Sequence, residues 1–259
     1  MLVPDAVSLP NEVLNNLDAM VDLDNITLTN QNLLSSSDIA SLEEQISKVQ
    51  NDSIKLALKA IVQINIDKNI AEAKKIFHRS ILLDSTEPAS WLHFANYLWA
   101  RGYPSESYAI LVESLNYIHD QVLISSLCSK AAHFRDLDTI SYCFNLIDKH
   151  GNMSSYDPQK ITNLMRFYTE ALKTNERLGV DSKRISELAI GVFDLLGKNG
   201  FIVKSVQTNV NDPDCIPFFV TVDAKEGKRY FDLNMEIADY LIDQDATCEK
   251  VSFFVSEFN

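Results

Sequence analysis

Apolar side chains recur every three or four positions through most of the chain, the signature of amphipathic helices, and the spacing changes after Gly200. In the first segment, NEVLNNLDAMVDL follows Pro10 and places Val13, Leu14, Leu17 and Met20 at helical spacing. TLTNQNLLSSSD reads as a polar turn, with Ser36, Ser37 and Asp38 as N-cap candidates, and SDIASLEEQISKVQ as a second helix. Residues 1–50 are therefore expected to form a helical extension.

From Ile54 the pattern repeats with a period of about 34 residues, the length of a helix–turn–helix repeat. The first register places Ala57, Ala60, Ile61 and Ile64 in a leading helix, then Ala73, Phe77 and Ser80 in a second. The next register, starting at Pro88, gives Trp91, Phe94, Ala95 and Leu98, then Ser107, Leu111 and Ser114. The segment PASWLHFANYLWARGYPSESYAILVESL resembles a tetratricopeptide repeat. Trp91 takes the aromatic position and Ala95 the small one; Gly102 sits in the turn, and Pro104 opens the second helix. Ser107 stands where such repeats carry alanine, and the preceding repeat has Ala57 in place of the aromatic. A third start at Val122 is degenerate, its second helix about one residue out of register. A fourth pair is expected from Asp157–Pro158 and from a cap at Asp181 or Ser182, ending at Gly197–Gly200. The same helix lengths also suit a non-repeat helical bundle.

Beyond Gly200, FIVKSVQTNV and IPFFVTV are rich in β-branched and aromatic residues and read as strands around an NDPD turn. Tyr230, Leu233, Ile237 and Leu241 mark a helix, with Asp223 and Glu226 as its expected capping box. KVSFFVSEF closes as a strand. The predicted architecture is mostly α with a C-terminal α+β unit. It comprises a helical extension (1–50), a tetratricopeptide-like stack of antiparallel helix pairs (51–199) and a small β-β-α-β domain (200–259).

Gly and Pro number only 7 each among 259 residues, which favours helices over a loop-rich fold. The net charge of −13 is uneven. Residues 1–50 hold eight acids against Lys48 alone, and residues 201–259 eleven acids against five bases, whereas the centre is balanced. Phosphate neutralisation needs clustered Lys and Arg, so direct nucleic-acid binding is not expected; a basic protein partner suits the charge better. The scattered Cys128, Cys143, Cys215 and Cys248 form no C-x-x-C pair, which points to a reducing compartment and a cytoplasmic location. The N-terminus lacks signal-peptide features, and no apolar run is long enough to span a membrane.

The tetratricopeptide resemblance implies a binding face on the leading helices. Its inward positions carry over to Leu58, Val62 and Asn65, then Leu92, Asn96 and Trp99, then Ser126, Lys130 and His133. The partner-binding candidates are Asn65, Leu92, Asn96, Trp99, Lys130 and His133, with Trp99 as a flat anchor beside an amide. Catalytic motifs are weak. The five histidines lack metal-helix spacing, and no nucleotide loop or nucleophile elbow occurs. Asp214 with Asp223-Ala224-Lys225 has the shape of a metal-dependent nuclease motif, but Asp223 reads more simply as a cap and Asp214 as a turn residue. The expected function is a non-enzymatic adaptor that uses no cofactor or metal and holds a protein or peptide. The alternative is an acidic inhibitor, immunity-type or chaperone protein that covers a basic partner such as a nuclease toxin.

Overall fold

The computed structural model describes residues 36–67, 70–149, 158–208, 212, 214–223, 230–246 and 250–257. The helix expected around Val13–Met20 lies outside them, as do Asp157, Lys225, Glu226 and Cys248. The described helices are α1 (Ser36–Ser47), α2 (Asp52–Asp67), α3 (Ile70–Leu83), α4 (Pro88–Ala100), α5 (Pro104–Ser114), α6 (Gln121–Phe134), α7 (Leu137–Lys149), α8 (Pro158–Leu178) and α9 (Ser182–Lys198). They are followed by β1 (Ile202–Thr208), β2 (Ile216–Asp223), α10 (Tyr230–Asp243) and β3 (Val251–Glu257). The chain is mostly helical, with a C-terminal α+β unit in the order β, β, α, β.

Local signals explain the helix boundaries. Pro88 and Pro104 open α4 and α5, where their missing N–H leaves no bond unmade. Glu87 and Asp120 cap α4 and α6 with their carboxylates, and Asp181 caps α9. Gly102, at φ +79°, ends α4, and Tyr103 N–H returns to Leu98 C=O at 2.9 Å, closing the last turn. Arg135 ends α6 in the left-handed region, at φ 56°.

Short connections make α2 with α3, α4 with α5, and α6 with α7 antiparallel neighbours. The leading helices also touch: α2 packs on α4, and α4 on α6. One apolar core runs through these pairs into the sheet. Small side chains allow the close packing. Ser53, Ser80 and Ser90 interlock their hydroxyls at 2.7–3.3 Å in the core between α2, α3 and α4. Ser107, where alanine was the expected residue, donates to the Ala95 carbonyl at 2.6 Å.

The structure corrects two expectations. Leu58 and Val62 are core residues, 0% and 4% exposed, because α1 packs on α2 and brings Ile46 and Val49 into the same cluster. Among the helices before it, α9 packs chiefly on α5, α6 and α7, so it lies across the preceding pairs rather than along α8. Asp223 ends β2 and pairs with Lys204 at 3.2 Å; Glu226, its expected partner in a capping box, lies outside the described residues.

The sheet has the order β1-β2-β3. β1 runs antiparallel to β2, with Val206 opposite Val220; β3 runs parallel to β2, with Phe218 opposite Phe253. Alternation puts Phe218, Val220, Phe253 and Val255 on the covered face and Phe219 and Phe254 on the other. The covered face meets α9 through β1 and α10 through β3. No described helix is long and apolar enough to cross a membrane.

Candidate functional site

Four of the six predicted binding residues meet in one cluster between α4 and α6. Lys130 Nζ donates to Asn96 Oδ1 at 3.3 Å and lies 4.8 Å over the Trp99 ring. The His133 ring stands 5.5 Å from Trp99 on its other contacts, and Phe134 meets Trp99 edge-on at 5.8 Å. Helix geometry produces the cluster: Asn96 and Trp99 share a face of α4 at i, i+3, as do Lys130 and His133 on α6. Leu92, one turn before Asn96, is half-buried and packs against the core. Asn65 lies on α2, but its side chain is outside the described set.

The cluster is mostly turned inward. Lys130 is only 9% exposed, and burial brings its ammonium down to about 8. Burial, with Lys130 as a lesser cause, lowers His133 to about 4 and keeps its imidazole neutral. Its Nδ1 is buried and has no hydrogen-bond partner among the described residues. Trp99 is half-buried and serves as a packing anchor as well as a surface.

Beside this cluster opens a cleft of about 440 Å³, within the range of small-ligand sites. One wall is α6, through Ser125, Cys128, Ser129, Ala132 and His133; the other is α8, through Lys160, Ile161, Asn163, Leu164 and Phe167. Ile147 of α7 also lines it. Its origin is compositional. Ser125, Ser129 and Ala132 follow one another at i, i+4 and i+7 and leave room where larger residues would close on α8. The N-terminal half of α8 is accordingly only half covered at Ile161, Leu164 and Phe167, whereas Ala171, Thr174, Asn175 and Leu178 further along are buried. The floor is apolar, and Ser129, Lys160 and Asn163 form a polar, exposed rim.

His133 thus joins the predicted cluster to a cleft that the sequence did not announce. The repeat register put Ser126 on the inward face, but Ser125 and Ser129 line the cleft. The available signal was the small-residue row on α6 facing the Ile161–Leu164–Phe167 stripe of α8.

The nuclease-like spacing does not build a site. Asp214 precedes β2 and Asp223 ends it, which separates them by the length of an eight-residue strand, about 25 Å. Two carboxylates so placed cannot share one ion. Asp212 accepts from Asp214 and Cys215 N–H, which makes this corner a turn. Among the described residues, no group of three His, Cys, Asp or Glu is placed to hold a metal. Cys128 and Cys143 are buried free thiols, and Cys215 is a half-buried one.

No family model matches the chain, and neither a curated protein nor a solved structure is similar to it.

Proposed function

We propose that this chain is a non-enzymatic adaptor, a tetratricopeptide-like stack that receives a segment of a partner protein in the cleft between α6 and α8. The observation that carries this reading is the character of that cleft: an apolar floor, an exposed polar rim, and an inner wall continuous with Trp99, Lys130 and Asn96. A space of this size takes one or two apolar side chains of a peptide, and the rim hydroxyls and amide meet its backbone. The contact of α2 with α4 and of α4 with α6 supports it further, since leading helices in succession present a shared face. Neutral His133, lowered to about 4 by burial, suits binding better than proton transfer, because it does not take up a proton at neutral pH.

The test is a displayed random-peptide library selected against the full chain, with affinities of the selected peptides measured by calorimetry. Ser129→Arg sits on the exposed rim and fills the cleft mouth without disturbing the core. Selected peptides that lose at least about tenfold in affinity for this variant place the site in the cleft. Peptides that bind Ser129→Arg and Ala132→Phe as tightly as wild type remove the cleft from the reading.

A further inference from the structure

Helix α10 is apolar on two opposite sides. Leu233 and Ile237 are buried toward the sheet and α9, as a surface helix requires. On the far side, Phe231, Met235, Ala238 and Ile242 fall at i, i+4, i+7 and i+11, within about 60° of arc. All four are exposed, with Phe231 at 73% and Ile242 at 60%. Such a continuous apolar strip along about three turns, with none of the described residues over it, is characteristic of a docking face.

The residue after each member of that strip is acidic: Asp232, Glu236, Asp239 and Asp243. They form a parallel row about 100° further round the helix, and all are exposed. α10 carries no Lys or Arg, and among the described residues none of the four acids has an ion-pair partner. Asn199 holds one oxygen of Glu236 at 2.6 Å, which fixes the carboxylate without neutralising it. Arg184 is occupied elsewhere, donating to the Gln244 carbonyl at the end of α10 and facing Glu187.

Charge decides among the occupants such a face could take. Residues 1–35 of this chain hold five acids and no Lys or Arg, so they would meet the row with like charge. A second copy placed face to face would set acid against acid. A helix with a leucine-type stripe flanked by lysines or arginines satisfies both rows at once. We propose that the outward face of α10 docks a basic amphipathic helix of a partner protein. This surface is separate from the α6–α8 cleft, and the proposal holds or falls independently of the adaptor reading.

The probe is a fluorescein-labelled helix of leucine and lysine only, about 14 residues long to match α10. A control peptide replaces every lysine with glutamate. Anisotropy titrations of the full chain are expected to show saturable binding of the lysine peptide and none of the control. Met235→Ser with Ile242→Ser, and separately Asp239→Lys with Asp243→Lys, each weaken binding about tenfold or more. These side chains are exposed, so thermal melts of both variants should match wild type. Equal affinity of the serine variant and wild type would reduce the binding to general attraction for an acidic chain and overturn the proposal. So would a self-associated species in sedimentation velocity that the serine variant abolishes, since the face would then belong to a second copy.

Discussion

The backbone of Gly102 lies directly against that of Gly197. A β-carbon built on Gly197 would overlap the Gly102 carbonyl, and one built on Gly102 would stand 3.1 Å from the Gly197 α-carbon. The turn between α4 and α5 is thereby pressed onto the end of α9, and Ser105 N–H adds a bond to Asp194 at 3.3 Å. This contact carries the C-terminal unit on the helix pairs, because α9 continues into β1.

Alanine at the three glycines of this region should separate by mechanism. Gly197→Ala sets a methyl group against backbone that cannot swing away, and should cost about 3 kcal/mol. Gly102→Ala meets a tight contact at a positive φ and should cost about 1–2 kcal/mol. Gly191→Ala overlaps only the hydroxyl end of Tyr240, which can rotate, and α9 gains up to about 1 kcal/mol of helix propensity, so its net effect should be close to zero. Urea unfolding of the three variants checks the order. Equal losses would show that the backbone contact does not matter.

Much of the fold was legible because it rests on short-range signals. Trp91, Ala95, Gly102 and Pro104 mark a helix hairpin on their own, and the alternation in IPFFVTV marks a strand with one covered face. What stayed hidden depends on packing between distant segments. Gly197 reads as a helix terminator, yet it lies within α9 and serves close approach to Gly102. Asn96, Trp99, Lys130 and His133 could be grouped because the repeat register stacks α4 on α6. The α8 wall of the cleft could not, since inward positions carried over only for the first three repeats and α8 was expected to pair with α9.

Arg135 is fully buried, and among the described residues no carboxylate pairs with its charge. One guanidinium nitrogen donates to Ala171 C=O at 3.2 Å and to Asn175 Oδ1 at 3.0 Å, while Nε and Nη1 have no partner among the described residues. Burial lowers its affinity for the proton, to about 10. Asn175 also donates to Ser182 at 2.7 Å and so ties the end of α6 to α8 and to the start of α9. Asn175→Ala should cost about 2–3 kcal/mol, because it leaves a buried cation with less solvation. Arg135→Met in that background should recover most of the loss, since the unsolvated charge is gone. A double-mutant cycle in urea checks this, with additivity as the outcome that removes the coupling.

Trp99 should prove structural as well as surface-forming. Its ring touches Lys130, His133 and Phe134, so Trp99→Ala should cost about 3 kcal/mol, whereas Trp99→Phe should keep most of the packing. Thermal melts of both variants, with Ser129→Arg as the unperturbed comparison, distinguish loss of fold from loss of a contact surface.

Acid stability follows from two neutral histidines. Burial lowers both His93 and His133 to about 4, against an ordinary value of 6.5. Below about pH 6.5 the unfolded chain takes up protons that the folded chain refuses, so stability is fully present above that value and is lost as pH falls toward 4. Each histidine contributes at most about 1.4 kcal/mol per pH unit to this slope. His93→Gln with His133→Gln should flatten the decline of the urea midpoint between pH 7 and 5.5, above the range where carboxylates titrate. Lys130 acts in the same sense at the alkaline end. Its folded value of about 8 lies below the ordinary 10.5, so stability should rise with pH from about 8, and Lys130→Met should abolish the rise. Tyr97, pushed up to about 12 by burial, works against it above pH 10, where the unfolded phenol ionises first. Cys143, whose thiol is pushed up by its contact with Cys128 and by burial, works against it sooner, from about pH 9, where the unfolded thiol ionises, so the gain is confined to roughly pH 8–9. A midpoint that stays flat in wild type across that window would mean that Lys130 is not held in the desolvated position between Asn96 and Trp99.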